Sequence, residues 1–165
     1  MKTIVWETLP TSLEELKKLP QAGLTSPEDT AALTVAALCA YPTNKDDALE
    51  MLDYLRGPAP MTNYDKSFLQ DRFRDGDHIP FSYFEGASPD NDYTPSKPYT
   101  INVADDAHGA DPANEGYIKV FLTSSGADSP RPVVLRNKPS TGQWFLNTHS
   151  LMVQVRKPKS KDVWA

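Results

Sequence analysis

Residues 63–84, NYDKSFLQDRFRDGDHIPFSYF, contain the point at which the chain changes its period. Up to Gly76 the apolar residues Tyr64, Phe68, Leu69 and Phe73 recur at the spacing of one helix face. That spacing predicts a helix from Asn63 to about Asp75, with Gly76 as its stop. Beyond it, Ile79, Phe81 and Tyr83 alternate with Pro80, Ser82 and Phe84, which reads as a strand with an edge-type proline. The switch divides the chain into a helical part and a β-rich part.

Upstream of the switch, helix starts and stops are explicit. Ser12 with Glu15 forms a capping-box pattern ahead of Leu13 and Leu16, and Pro20 ends the run. Ser26 with Asp29 repeats it, and Pro27 takes the favoured first helical position. Leu33, Ala37, Leu38 and Tyr41 then recur at helical spacing before Pro42, the strongest amphipathic pattern in the chain. Thr43 and Asp46 offer a third cap, followed by the stripe Leu49, Leu52 and Leu55 and a stop at Gly57 and Pro58.

Downstream, Glu85 to Pro98 is dense in Pro, Asp, Asn and Ser and reads as an extended surface loop. Strands are expected at Tyr99 to Val103, Tyr117 to Thr123, Pro132 to Arg136, Gln143 to Leu146 and Met152 to Arg156. Asn137 to Gly142 has the Pro and Gly of a hairpin loop, and Asn147 to Leu151 suits a single helical turn. The expected fold is α+β: an N-terminal layer of about four short helices packed on a C-terminal antiparallel β-sheet or SH3-like small barrel. The expected division is a helical subdomain 1–76, an aromatic and Pro-rich connection 77–98, and an antiparallel β subdomain with its tail, 99–165.

The order of loop lengths after Tyr99, with the step Gly142, Gln143, Trp144, resembles SH3-like small barrels over about Tyr99 to Pro158. Some other antiparallel sheet packed on the helices fits the same pattern. Four further stretches, Leu9 to Lys17, Ser26 to Ala32, Phe81 to Ala87 and Lys157 to Ala165, together resemble an uncharacterised bacterial family. That family, mostly from Gram-positive anaerobes, is a domain of unknown function. The resemblance implies a bacterial cytoplasmic source but no activity, cofactor or catalytic residue.

The lone cysteine, Cys39, excludes an intramolecular disulfide, and no apolar run approaches the ~18 residues of a membrane span. The N-terminus offers only Ile4, Val5 and Trp6 as an apolar run, so no signal peptide is read and a cytoplasmic location is expected. The net charge of -5 is uneven, because residues 131–165 hold 7 basic and 1 acidic groups. Basic strands lying beside acidic loops explain this asymmetry better than nucleic acid does, given the pI near 5.1. Trp164 is expected to anchor the tail to the body.

No phosphate-binding glycine loop, nucleophile elbow or zincin motif is present in the sequence. Cys39 in a helix of small apolar residues reads as core, and Asp77 beside His78 does not favour a working pair. Asp105, Asp106 and His108 group carboxylates with an imidazole and could hold a divalent cation in a metal-dependent hydrolase. The Ser124 and Ser140 turns read as hairpin loops rather than anion cradles. The aromatic set Phe81, Tyr83, Phe84, Tyr93 and Tyr99 is the candidate recognition surface for a protein or peptide. A non-catalytic interaction module without cofactor is the preferred reading. Oligomeric state is not legible.

Overall fold

The computed structural model describes residues 1–105 and 115–165. Five antiparallel strands, β1 (Lys2–Trp6), β2 (Tyr99–Asp105), β3 (Tyr117–Leu122), β4 (Arg131–Lys138) and β5 (Gln143–His149), form one sheet in sequence order. The sheet curls into a half-barrel. Its concave face is the buried member of each alternation: Ile4 and Trp6, Ile101 and Val103, Val120 and Leu122, Val133 and Leu135, then Leu146. Cross-strand pairs keep that face in register, with Ile4 opposite Ile101, Val103 opposite Leu122, Val120 opposite Val133, and Leu135 opposite Leu146.

Four α-helices are present among the described residues: α1 (Leu13–Lys17), α2 (Pro27–Ala40), α3 (Lys45–Arg56) and α4 (Asn63–Phe73). Helix α2 plugs the half-barrel and packs against all five strands as well as α3. Its residues from Asp29 to Ala40 are all buried, so the pattern expected to be amphipathic is buried all round. Alanines let the sheet approach closely, and the two buried threonines are satisfied. The Thr34 hydroxyl donates to the Thr30 carbonyl at 2.8 Å, and the Thr30 hydroxyl donates to the Trp144 carbonyl at 2.6 Å. At the N-terminus, Ser26 accepts the Asp29 N–H and the Asp29 carboxylate pairs with Lys2 at 2.6 Å.

The α+β class holds, with corrections in four places. Strand β1 was not foreseen, because three apolar residues are too short a signal by themselves. The expected strand at Ile79 to Phe84 is instead a 3-10 turn over Pro80–Tyr83. Pro80 presets its φ, and the Ser82 hydroxyl donates to the Ile79 carbonyl at 2.6 Å, favouring the turn over a ladder. No strand forms at Met152 to Arg156: Gln154 sits at φ 52°, and the Arg131 guanidinium takes the Val153 and Gln154 carbonyls at 3.1 and 2.9 Å. Asn147 to His149 extends β5 rather than making a helical turn.

The free edge of β5 is closed by the helical layer. The Trp144 N–H donates to the Leu24 carbonyl at 2.8 Å, the Trp144 carbonyl accepts from Thr30, and the Asn147 carbonyl accepts from Arg56 at 3.3 Å. Acidic loops are met by the C-terminal tail, through Arg156 to Asp128 at 2.7 Å and Lys159 to Asp90 at 2.5 Å. The strand cations Arg131, Arg136 and Lys138, expected to do this, pair with no carboxylate among the described residues. Trp164, by contrast, is 92% exposed and anchors nothing. No helix among the described residues is long and apolar enough to cross a membrane.

Candidate functional site

The aromatic set divides by burial. Tyr83, Phe84 and Tyr93 are 4%, 2% and 2% exposed, while Phe81 and Tyr99 are half-buried. The Tyr83 hydroxyl donates to the Leu151 carbonyl and the Tyr93 hydroxyl to the Arg156 carbonyl, both at 2.6 Å. Phe84 sits edge-on between Trp6 and Tyr99, at ring separations of 6.4 and 5.6 Å. These rings join the tail and the loop to the sheet, so a partner at the surface meets only Phe81 and Tyr99. Burial raises the Tyr83 and Tyr93 hydroxyls above their ordinary pKa.

The other candidates separate as well. Cys39 is buried in α2 and its thiol is pushed well up by desolvation, which makes it a packing residue. The amides at Ser125 and Gly126 are occupied by the Ser82 carbonyl and the Ser124 hydroxyl. Asp105 ends β2 beside Glu28, whose carboxyl is raised by burial and then by the Asp105 contact; Asp106 and His108 lie outside the described residues. Among the described residues no three His, Cys, Asp or Glu side chains converge as metal ligands.

A groove between α3, α4 and β5 brings polar groups to an apolar hollow. Its construction starts at Gly57, which ends α3 with φ 60° and donates its N–H to the Asp53 and Tyr54 carbonyls at 3.0 and 3.2 Å. The Asp53 carboxylate then accepts the Met61 N–H at 2.9 Å. A capping box opens α4, with the Thr62 N–H donating to the Asp65 carboxylate at 2.9 Å and the Asp65 N–H to the Thr62 hydroxyl at 3.2 Å. The linker is therefore held at both ends.

This linker sets Arg56 against Asp65. The guanidinium lies 3.6 Å from the Asp65 carboxylate and donates to the carbonyls of Ala59 at 3.0 Å and Asn147 at 3.3 Å. Burial alone would raise the Asp65 carboxyl, but hydrogen bonding with Thr62 and the charge of Arg56 outweigh it and hold the pKa below its ordinary value. His149, at the end of β5, accepts the Leu151 N–H on Nδ1 at 3.2 Å. Its pKa falls to about 4 because burial penalises the imidazolium and Arg56 repels it, with Asp65 opposing. A neutral imidazole that accepts on Nδ1 carries its proton on Nε2.

Around these three groups is a hollow of about 270 Å³. Leu52, Leu69 and Leu146 contribute its apolar wall, and Met61, Tyr64, Phe68, Asn147 and Thr148 complete the lining. Tyr64, expected to face inward, is 77% exposed because α4 turns only Leu69 and Phe73 fully into the core. A second hollow, of about 280 Å³, shares Arg56, Leu146 and Asn147 with the first and is lined also by Arg136, Lys138 and Phe145. Sequence reading missed this groove, although Thr62 followed by Asp65 is a legible capping pattern.

The His149 shift has a signed consequence. Its ordinary pKa is 6.5, so as pH falls the unfolded chain takes up the proton first, and stability is lost between pH 6.5 and about 4. The loss expected from this group, allowing for partial solvent contact, is about 2 kcal/mol. His78 is shifted the same way by burial and Lys161, so it adds to the slope. Urea midpoints at about pH 7.5 and about pH 4.5 are expected to diverge less for His149→Gln than for the wild type. Equal divergence would show that the imidazole is as easily protonated in the folded chain as in the unfolded one.

Together these features define a helix-plugged antiparallel half-barrel with a preformed surface groove. The family model described as a domain of unknown function, DUF6935, matches residues 8–159, and the chain belongs to that family. No curated protein and no solved structure matches it.

Proposed function

We propose that the chain is a non-catalytic protein- or peptide-binding module, whose binding site is the groove between α3, α4 and β5. The observation that carries this reading is a preformed apolar hollow whose polar groups are already held by the protein. Arg56 is fixed by Ala59, Asn147 and Asp65, and Asp65 is fixed by Thr62. His149 is kept neutral with Nδ1 occupied. Such groups orient a ligand; none is poised as a nucleophile with its base. The occupant is an apolar side chain on an exposed protein segment, and Tyr64 at the rim supplies a flat face with a polar tip. In the same reading the curled meander is a relative of SH3-like small barrels working in a bacterial cytoplasm, a setting that the unpaired Cys39 suits.

Selection from a random peptide library, followed by direct titration, tests the site. Binders are expected to share an apolar anchor and to reach a micromolar Kd, roughly 8 kcal/mol of binding free energy. Tyr64→Asp is expected to weaken them at least tenfold, whereas Val5→Asp, on the exposed face of β1, leaves them unchanged. Binders indifferent to Tyr64→Asp, or none at all, would overturn the reading.

A further inference from the structure

We infer that the partner is an acidic protein segment carrying an apolar anchor, with its carboxylates lying over Arg136 and Lys138; this rests on the groove being the binding site. The two hollows differ in charge. The first holds Arg56, Asp65 and His149, but the second is lined by Arg56, Arg136 and Lys138 with no carboxylate among its lining residues. Elsewhere in the C-terminal part Arg156 pairs with Asp128 and Lys159 with Asp90, and Arg131 donates to the Val153 and Gln154 carbonyls, so Arg136 and Lys138 are set apart by lining a hollow without a carboxylate. Arg136 and Lys138 have no ion-pair partner among the described residues, on a chain whose net charge is -5. A local excess of positive charge against an acidic background attracts an acidic ligand and gives it orientation.

The geometry also sets how the segment is read. Strand addition along β5 is closed, because Leu24, Thr30 and Arg56 already use the backbone groups of Trp144 and Asn147. Recognition therefore runs through side chains. The hollows share the wall formed by Arg56, Leu146 and Asn147, which places the anchor and the carboxylates close together along the partner. Arg136 lies 5.4 Å from the Tyr117 ring centre, a cation–π contact that restricts its side chain before binding. A nucleic acid is the weaker match, since a long polyanion meets Asp65 and the acidic remainder of the molecule.

The test uses the full chain and three labelled probes. One is a short peptide with Trp and Leu followed by a run of glutamates, the second has lysines in place of the glutamates, and the third is an oligothymidylate. The glutamate peptide is expected to bind at least tenfold more tightly than the lysine peptide and to weaken with added salt. Arg136→Glu combined with Lys138→Glu, both at exposed positions, is expected to reverse the order, and Arg136→Gln with Lys138→Gln to abolish the preference. Thermal melts check that each variant stays folded. Equal affinity for the two peptides, both lost in Tyr64→Asp, would overturn the acidic partner while leaving the groove reading standing. Tighter binding of the oligonucleotide would overturn it in favour of nucleic acid. Failure of every probe, with no response to Tyr64→Asp, would remove both readings.

Discussion

Gly57→Val is expected to lower the unfolding free energy by about 4 kcal/mol, the sum of about 2 for backbone strain and about 2 for overpacking. Gly57 has φ 60° and ψ -122°, a combination open to glycine and closed to a β-branched residue. A Cβ there would also overlap the Phe145 ring, which packs against the α3 terminus. For a chain of 165 residues the fall in melting temperature is expected to be about 10 °C. Gly142 separates the two causes. It has φ 73° but open space where a Cβ would sit, so Gly142→Val is expected to cost only about 1–2 kcal/mol. Urea unfolding of both variants gives the comparison, and equal losses would show that the Phe145 contact yields. Because Gly57 starts the linker that sets Arg56 against Asp65, Gly57→Val is also expected to weaken peptide binding in whatever fraction remains folded.

What the sequence reveals about this fold depends on how local the cause is. Two helix starts were legible because Ser12 and Ser26 each accept an N–H three residues on, a contact contained in one turn. Thr62 does the same but was not read as a cap, and Thr43, read as the cap of α3, gives way to Asn44 with no side-chain cap bond. Strands β2 to β5 were legible from alternation, since one face of each meets α2. Alternation failed at Ile79 to Phe84, where Tyr83 ends a turn and its hydroxyl donates to the distant Leu151 carbonyl, while Phe84, just past the turn, makes a single β-bridge to Ile101. Helix α2 misled in the other direction. Periodicity looks for a polar face, and a helix inside a half-barrel has none.

The groove was hidden for a related reason. Arg56, Asp65, Arg136 and His149 come from four separate elements, and only the register of β5 against β4 and the packing of α3 on β5 bring them together. The aromatic cluster drew attention because its members are close in sequence, yet that closeness reflects a segment sewn into the core. Buried tyrosines with satisfied hydroxyls are structural; the exposed Tyr64 on α4 was read as core. Composition alone cannot tell these apart, because both place an aromatic ring beside apolar neighbours.

Trp6→Ala is expected to cost about 4 kcal/mol, the usual range for emptying a buried indole. The first strand carries this weight although it is only five residues long. Trp6 is 4% exposed, donates its indole N–H to the Gln21 side chain at 2.9 Å, and meets the Phe84 ring edge-on. Truncation therefore opens a cavity between β1, the 3-10 turn at Pro20–Gly23 and the aromatic segment, and leaves the Gln21 amide without its partner. The adjacent Val5 is 49% exposed and points to the opposite face, so Val5→Ala is expected to change stability by less than about 0.5 kcal/mol. Paired denaturation curves for the two variants test whether β1 is an integral strand. A cost below about 1 kcal/mol for Trp6→Ala would mean that the sheet closes on α2 without it. The expected contrast instead makes the first strand a closing member of the half-barrel, holding β2 at one edge as the helical layer holds β5 at the other.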